Sequence, residues 1–329
     1  MKIIYEDLPV FYDTGEILED KTDWRMLKMK STAVSDVMIG HEKYWLKRSE
    51  RMLECGSVLR FAVARNGDKR LISAQFCRDR MCPACQKRRS LVMFHQVKDV
   101  CLSLQNEYKT TSYLLLTLTV PNVPESDLKA EMSKMNKAWT GVARRAEFKR
   151  AVWGWFKALE VTHNSTTDTY HPHFHILLAV PGEYFKGKNY INQARWLTLW
   201  REAMKNDSIT QVDIRRVKPN PKRNGSTAIE SAAAEVGKYA TKPSDYIEGD
   251  CKRGFRAKEK VVKALAVNLK GCRLTAFGGR MKEHYIKLHL ADVESEEVDL
   301  VHVSGGDALV DAVMVQMYRW NVGFGDYVS

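Results

Sequence analysis

Hydrophobic and polar positions are most regularly ordered in the middle of the chain. Residues 112–120 (SYLLLTLTV) make a strand-length apolar run closed by Pro121 and Pro124. Ser126-Asp127 then opens a helical repeat through Met132, Met135, Trp139 and Val142 to about Arg150. Residues 154–164 predict a strand, the stretch to Thr169 a polar turn, and 171–180 its antiparallel return. Asn192 or Gln193 starts a helix carrying Trp196, Leu199, Trp200 and Met204; residues 210–218 predict another strand and 228–242 an alanine-rich helix. This β-α-β-β-α-β order predicts an α+β, ferredoxin-like split βαβ core: an antiparallel sheet with helices on one face.

The flanks are less regular. Residues 1–35 show no sustained periodicity and predict an acidic, poorly packed leader. A helical pattern before Gly56 is followed by two apolar runs around Asn66-Gly67-Asp68, a β-hairpin signature. Leu91, Phe94, Val97, Cys101 and Leu104 mark an amphipathic helix to about Glu107. Residues 257–272 have a helical period stopping at Gly271, and the chain from Ala291 is acidic without an assignable motif.

Composition excludes collagenous and wholly disordered chains, with 44% hydrophobic and 28% charged residues. The net charge of +12 is uneven: residues 1–20 carry −5 and 291–329 carry −7, leaving +24 on the body between. Such a body calls for a polyanion, and nucleic acid is the first candidate. The apolar runs are strand-sized, far below the roughly 20 residues of a membrane span. The N-terminus turns acidic within six residues, so no secretory signal is expected and the cytoplasm is the expected compartment. Four of seven cysteines, Cys55, Cys77, Cys82 and Cys85, cluster around the hairpin. With Cys82-Pro-Ala-Cys85 at knuckle spacing, they predict a structural Zn²⁺ site; His41 or His95 could replace Cys55.

His171, His173 and His175 alternate along the strand at 171–180, so all three imidazoles face one way. Histidines at that spacing suit a divalent cation. Glu160 on the partner strand is the best acid for a third ligand and favours Mg²⁺ or Mn²⁺, while His171 shares the face and could take that role instead. Glu235 and Tyr239 are four residues apart in a helical pattern, a carboxylate and a phenol on one face with Lys238 and Lys242 beside them. A tyrosine becomes a useful nucleophile when its electrophile is activated by metal and cations. Arg88, Arg89, Arg215, Arg216 and Lys218, with Lys238 and Lys242, are the foremost candidates for phosphate contacts.

The succession LLLTLTVPNV, ALEVTHN, YHPHFHILLAV and EVGKY resembles the plasmid rolling-circle replication initiator (Rep) family, a single-Tyr branch of the HUH endonucleases, over about residues 50–280. The resemblance implies that His173 and His175 bind a divalent metal, that Tyr239 is the nicking nucleophile and that Glu235 activates water at termination. Tyr246 lies seven residues on, but Pro243 ends the helical pattern first. Attack by Tyr239 on origin DNA would leave a 5′-phosphotyrosine and a 3′-hydroxyl for a host polymerase, with a separate host helicase opening the duplex. The chain carries no Walker A loop, in keeping with closure that needs no ATP. The expected organisation is an acidic leader (1–35), a Cys-rich zinc-binding basic region (36–108), an HUH endonuclease domain (109–250) and a C-terminal region with an acidic tail (251–329). A transposase or conjugative relaxase would share the His pair and tyrosine; a non-catalytic zinc-containing DNA-binding regulator would use the histidines structurally.

Overall fold

Along the chain of the computed structural model, residues 8–12, 14–39, 43–218, 227–237, 241–303 and 311–329 are described. They form β1 (Val10–Phe11), α1 (Trp24–Asp36), α2 (Lys43–Leu53), β2 (Val58–Ala64), β3 (Lys69–Ala74), α3 (Pro83–Glu107), β4 (Ser112–Thr119), α4 (Glu125–Arg144), α5 (Ala146–Ala151), β5 (Gly154–Asn164) and β6 (Thr169–Val180). There follow α6 (Gln193–Met204), β7 (Val212–Arg216), α7 (Ala228–Val236), α8 (Pro243–Tyr246), β8 (Ile247–Asp250), β9 (Gly254–Ala257), α9 (Glu259–Asn268), β10 (Thr275–Gly279), α10 (Arg280–Lys287), β11 (Ala312–Asn321) and β12 (Asp326–Val328). Contacts divide the chain into two units: Met1–Arg89 with Tyr246–Ala266 and Asp299–Ser329, and Ser90–Asp245 with Val267–Val298. The whole is mixed α and β, with antiparallel pairing dominant.

The second unit is built on a sheet of order β10-β5-β6-β4-β7, antiparallel at every pairing. Leu114, Leu116, Leu118 and Phe174 face α4 and α6, where the Trp200 ring lies 6.2 Å from that of Phe174. Asn192 caps α6 by accepting from Arg195 N at 2.8 Å, which puts the helix start at Gln193. The helix expected to run from 126 to 150 is two, because Arg145 is extended (φ −65°, ψ 143°). Helices cover the other face as well, contrary to the expectation of one: Tyr113 Oη donates to Cys101 O of α3 at 2.8 Å. The cause is the apolar stripe of α3, whose Met93, Val97, Val100, Cys101 and Leu104 are all buried. The helix expected over 228–242 is described only to Val236. The sequence pattern assigned no element to strand β10, whose run Thr275–Gly279 is short and ends in two glycines. Gly278 is required there: a Cβ would come 2.2 Å from the Trp155 ring.

In the first unit the order is β1-β11-β2-β3, with β12 on β11. The β2–β3 hairpin turns at Asn66-Gly67, where Gly67 has φ +84°. Two expectations are corrected here. Trp24–Asp36, within the stretch read as a poorly packed leader, is a helix capped by Asp23 (to Met26 N, 2.8 Å) that buries Trp24, Leu27 and Val34. The acidic tail supplies β11, which pairs along β2 and buries Tyr318. Both owe their order to partners distant in sequence. Among the described residues no helix is long and apolar enough to cross a membrane.

Candidate functional site

In the second unit, the β5–β6 register sets Glu160 directly opposite His173 and Ala158 opposite His175. Odd positions of β6 and even positions of β5 therefore share a face, and the Glu160 side chain reaches both imidazoles. Its Oε2 lies 3.0 Å from His175 Nε2 and 3.6 Å from His173 Nε2. The ligand atoms of the three residues all fall within 4.8 Å of one another. Donors at about 2.1 Å and right angles around an octahedral ion would stand about 3 Å apart, so one carboxylate and two imidazoles at these separations fit a divalent cation. His171 is on the same face, its ring stacked 5.2 Å from that of His173, and lies outside this cluster.

Glu160 is only 2% exposed. Burial by itself raises a carboxyl, but the closely placed His173, His175 and Lys242 outweigh it and hold Glu160 well below the usual carboxylate range. Lys242 Nζ stands 2.5 Å from Glu160 Oε1 while its side chain stays 46% exposed. Sequence reasoning had Lys242 as a phosphate contact and gave no signal of this pairing. Burial, then the charge of His173, lowers the His171 imidazole.

Glu235, on α7, lies with its Oε1 3.7 Å from Arg215 Nη2. Tyr239 and Lys238 fall outside the described residues. Tyr246, the other tyrosine of this stretch, belongs to the first unit, where it is buried and donates to Met81 O at 3.2 Å.

In the first unit, Cys55, Cys77, Cys82 and Cys85 are brought together, all buried and none in a disulfide. The Sγ separations of Cys55–Cys85, Cys77–Cys85 and Cys82–Cys55 are each 3.6 Å. Four thiolates about 2.3 Å from a tetrahedral ion stand about 3.8 Å apart, so the set has metal-site rather than disulfide spacing. Burial raises a thiol, but hydrogen bonds from Cys55, Cys77, Cys85 and Ser31 hold Cys82 well below its ordinary value. The sequence did not flag Lys28, whose buried ammonium donates to Leu53 O, to Cys55 O (3.2 Å) and to Ser57 Oγ (2.8 Å). It would offset the negative charge that four thiolates would leave around a divalent ion.

The basic residues separate into two groups. Arg88 is 6% exposed and donates to Leu300 O and Val301 O, both at 2.7 Å. Arg89 is also buried and donates to Arg78 O at 3.2 Å. Their guanidinium groups are turned inward, which corrects the expectation that they meet phosphate. Arg215, Arg216 and Lys218 are exposed.

A mixed α+β chain with a His-His-Glu cluster on one sheet and a four-thiol cluster in a separate unit is the class that site and fold define. The family model described as "Replication protein" matches residues 68–328. A protein named "Protein rep" from Bacillus amyloliquefaciens is 36% identical over 334 residues, covering 95% of this chain and 97% of that relative. Further proteins of that name from Streptococcus pneumoniae and Lentilactobacillus hilgardii are each 35% identical, covering 86% and 85% of this chain and 84% and 87% of the relatives. No solved structure matches. The chain belongs to the plasmid replication initiator (Rep) family.

Proposed function

We propose that this protein starts rolling-circle replication in the cytoplasm by nicking one strand of a plasmid origin in a metal-dependent transesterification, and rejoins the strand at termination. The carrying observation is the convergence of Glu160, His173 and His175, whose ligand atoms all lie within 4.8 Å of one another on one face of the sheet. The strand order β7-β4-β6-β5 supports a ferredoxin-like split βαβ for the endonuclease domain at 109–250. In this reading the Cys-rich region at 36–108 holds a structural Zn²⁺ on its four thiolates.

Glu160, His173 and His175 would hold Mg²⁺ or Mn²⁺, which when bound polarises a phosphate oxygen of the strand. The Tyr239 oxygen attacks phosphorus in line, and its bond forms as the bond to the 3′-oxygen breaks. The phenolic proton passes to solvent and the departing oxygen takes one up, leaving a 5′-phosphotyrosine and a 3′-hydroxyl for host polymerase, behind a host helicase. The phosphotyrosine conserves the bond energy of the phosphodiester, so the reverse reaction closes the strand. Glu235 takes the proton of the attacking water at termination, and Arg215, Lys238 and Lys242 supply positive charge to the DNA.

The test is covalent capture of a labelled single-stranded origin oligonucleotide with Mn²⁺. Wild type should yield a protein–DNA adduct and Tyr239→Phe none, with binding retained. An adduct on the variant overturns Tyr239 as nucleophile; no adduct or cleavage by wild type overturns nicking.

A further inference from the structure

The loop between β6 and α6, residues 181–192, presents a pair of exposed rings that the nicking site does not use. Phe185 is 43% exposed and Tyr190 48%, their ring centres 5.9 Å apart. Behind them Tyr184 is buried, its ring 5.3 Å from Phe185 and 5.4 Å from Tyr190. Its hydroxyl donates to Ile191 O at 3.0 Å and accepts from Ile191 N at 3.3 Å, which ties the two ends of the loop together. Gly182 seats the loop where a Cβ would come 2.5 Å from Thr110 O. The rings are therefore held outward by a braced backbone.

The charge around the pair is positive. The Arg216 guanidinium lies 5.8 Å from the Phe185 ring centre, and Lys186 and Lys188 are exposed in a loop whose one acid is Glu183. Strand alternation puts Arg216 on the sheet face opposite Arg215, which shares the face of the His-His-Glu cluster and lies beside Glu235. Because β7 is the edge strand, a chain crossing that edge meets one guanidinium on each side. Through Leu115 and Leu177, the register sets Arg215 about 14 Å along and about 10 Å across the sheet from His173.

We infer that Phe185 and Tyr190, with Arg216, Lys186 and Lys188, bind the single-stranded DNA that flanks the nick after it passes Arg215 over the β7 edge. This rests on the nicking reading above and adds a second contact to it. Exposed rings stack on unpaired bases of any sequence, and neighbouring cations take the phosphates. Paired bases keep their faces covered, so duplex gains nothing from the rings.

Fluorescence anisotropy with labelled oligothymidylates tests this. For the double variant Phe185→Ala, Tyr190→Ala, affinity for a strand of about thirty nucleotides should fall roughly tenfold or more, while a strand of about five that reaches only the metal face is bound as by wild type. Phe185→Trp, Tyr190→Trp should restore the long-strand affinity, which a merely structural role would not. Unchanged long-strand affinity overturns the inference, as does an equal loss with the short strand or with duplex. If wild type nicks and the double variant binds normally, this inference alone falls; if wild type binds neither strand, the nicking reading falls with it.

Discussion

The ammonium of Lys242 and the carboxylate of Glu160 form a 2.5 Å ion pair at the point where two imidazoles also converge. A fixed positive charge beside a cation site opposes occupation of that site. Lys242→Met should therefore tighten Mn²⁺ binding by about tenfold or more in calorimetric titration while weakening phosphate binding. Equal Mn²⁺ affinity in variant and wild type would show that Lys242 leaves Glu160 when the ion enters.

His171 and His175 share a face of β6 but not a cluster. His175→Ala and Glu160→Gln should each lower Mn²⁺ affinity by about a hundredfold, and His171→Ala by no more than a few fold. A large loss in His171→Ala would move the third ligand to that residue.

The four thiols should carry one zinc per chain, measurable by elemental analysis. Cys82→Ser or chelation should release it and lower the first thermal transition, because a structural ion of this kind contributes directly to folding. Cys101→Ser, at a buried thiol outside the cluster, should keep the zinc.

Arg88 and Arg215 should respond oppositely to removal. Arg88→Ala loses two charge-assisted bonds to main-chain carbonyls and should cost about 2–4 kcal/mol in denaturant unfolding, with the salt dependence of DNA binding unchanged. Arg215→Ala should leave stability nearly intact and reduce the salt slope by about one. A slope change in the Arg88 variant would restore it as a phosphate contact.

Lys157 is buried against the Phe174 ring, 4.2 Å from its centre, and hydrogen-bonded to Asn136. Burial pushes its ammonium down to about 8 from the ordinary 10.5. Between those values the unfolded chain holds the proton that the folded one lacks, so stability rises from pH 8 toward 10.5 and is lost as pH falls through 8. Stability of wild type relative to Lys157→Met should climb over that window, and parallel pH profiles would refute the assignment.

Local order was readable where the pattern is self-contained. Alternation along 171–180 and the apolar run 112–119 predict their strands, and Asn66-Gly67 predicts its hairpin, because side-chain period and turn chemistry act over a few residues. The cysteine spacing pointed to four ligands for the same reason. Tail strand β11 and helix α1 were missed because their burial depends on partners far along the chain, and β10 because the need for Gly278 comes from the Trp155 ring of a distant strand.

For the site, sequence alone determined which residue types were present and that three histidines share one face of a strand. Tertiary structure decided that Glu160 stands against His173 and His175, that Lys242 returns to that carboxylate, and that Arg88 turns inward while Arg215 and Arg216 take opposite faces of the sheet. The division is physical: periodicity specifies the direction of a side chain within its own element, whereas a contact between elements depends on strand register and chain return, which packing over the whole unit selects.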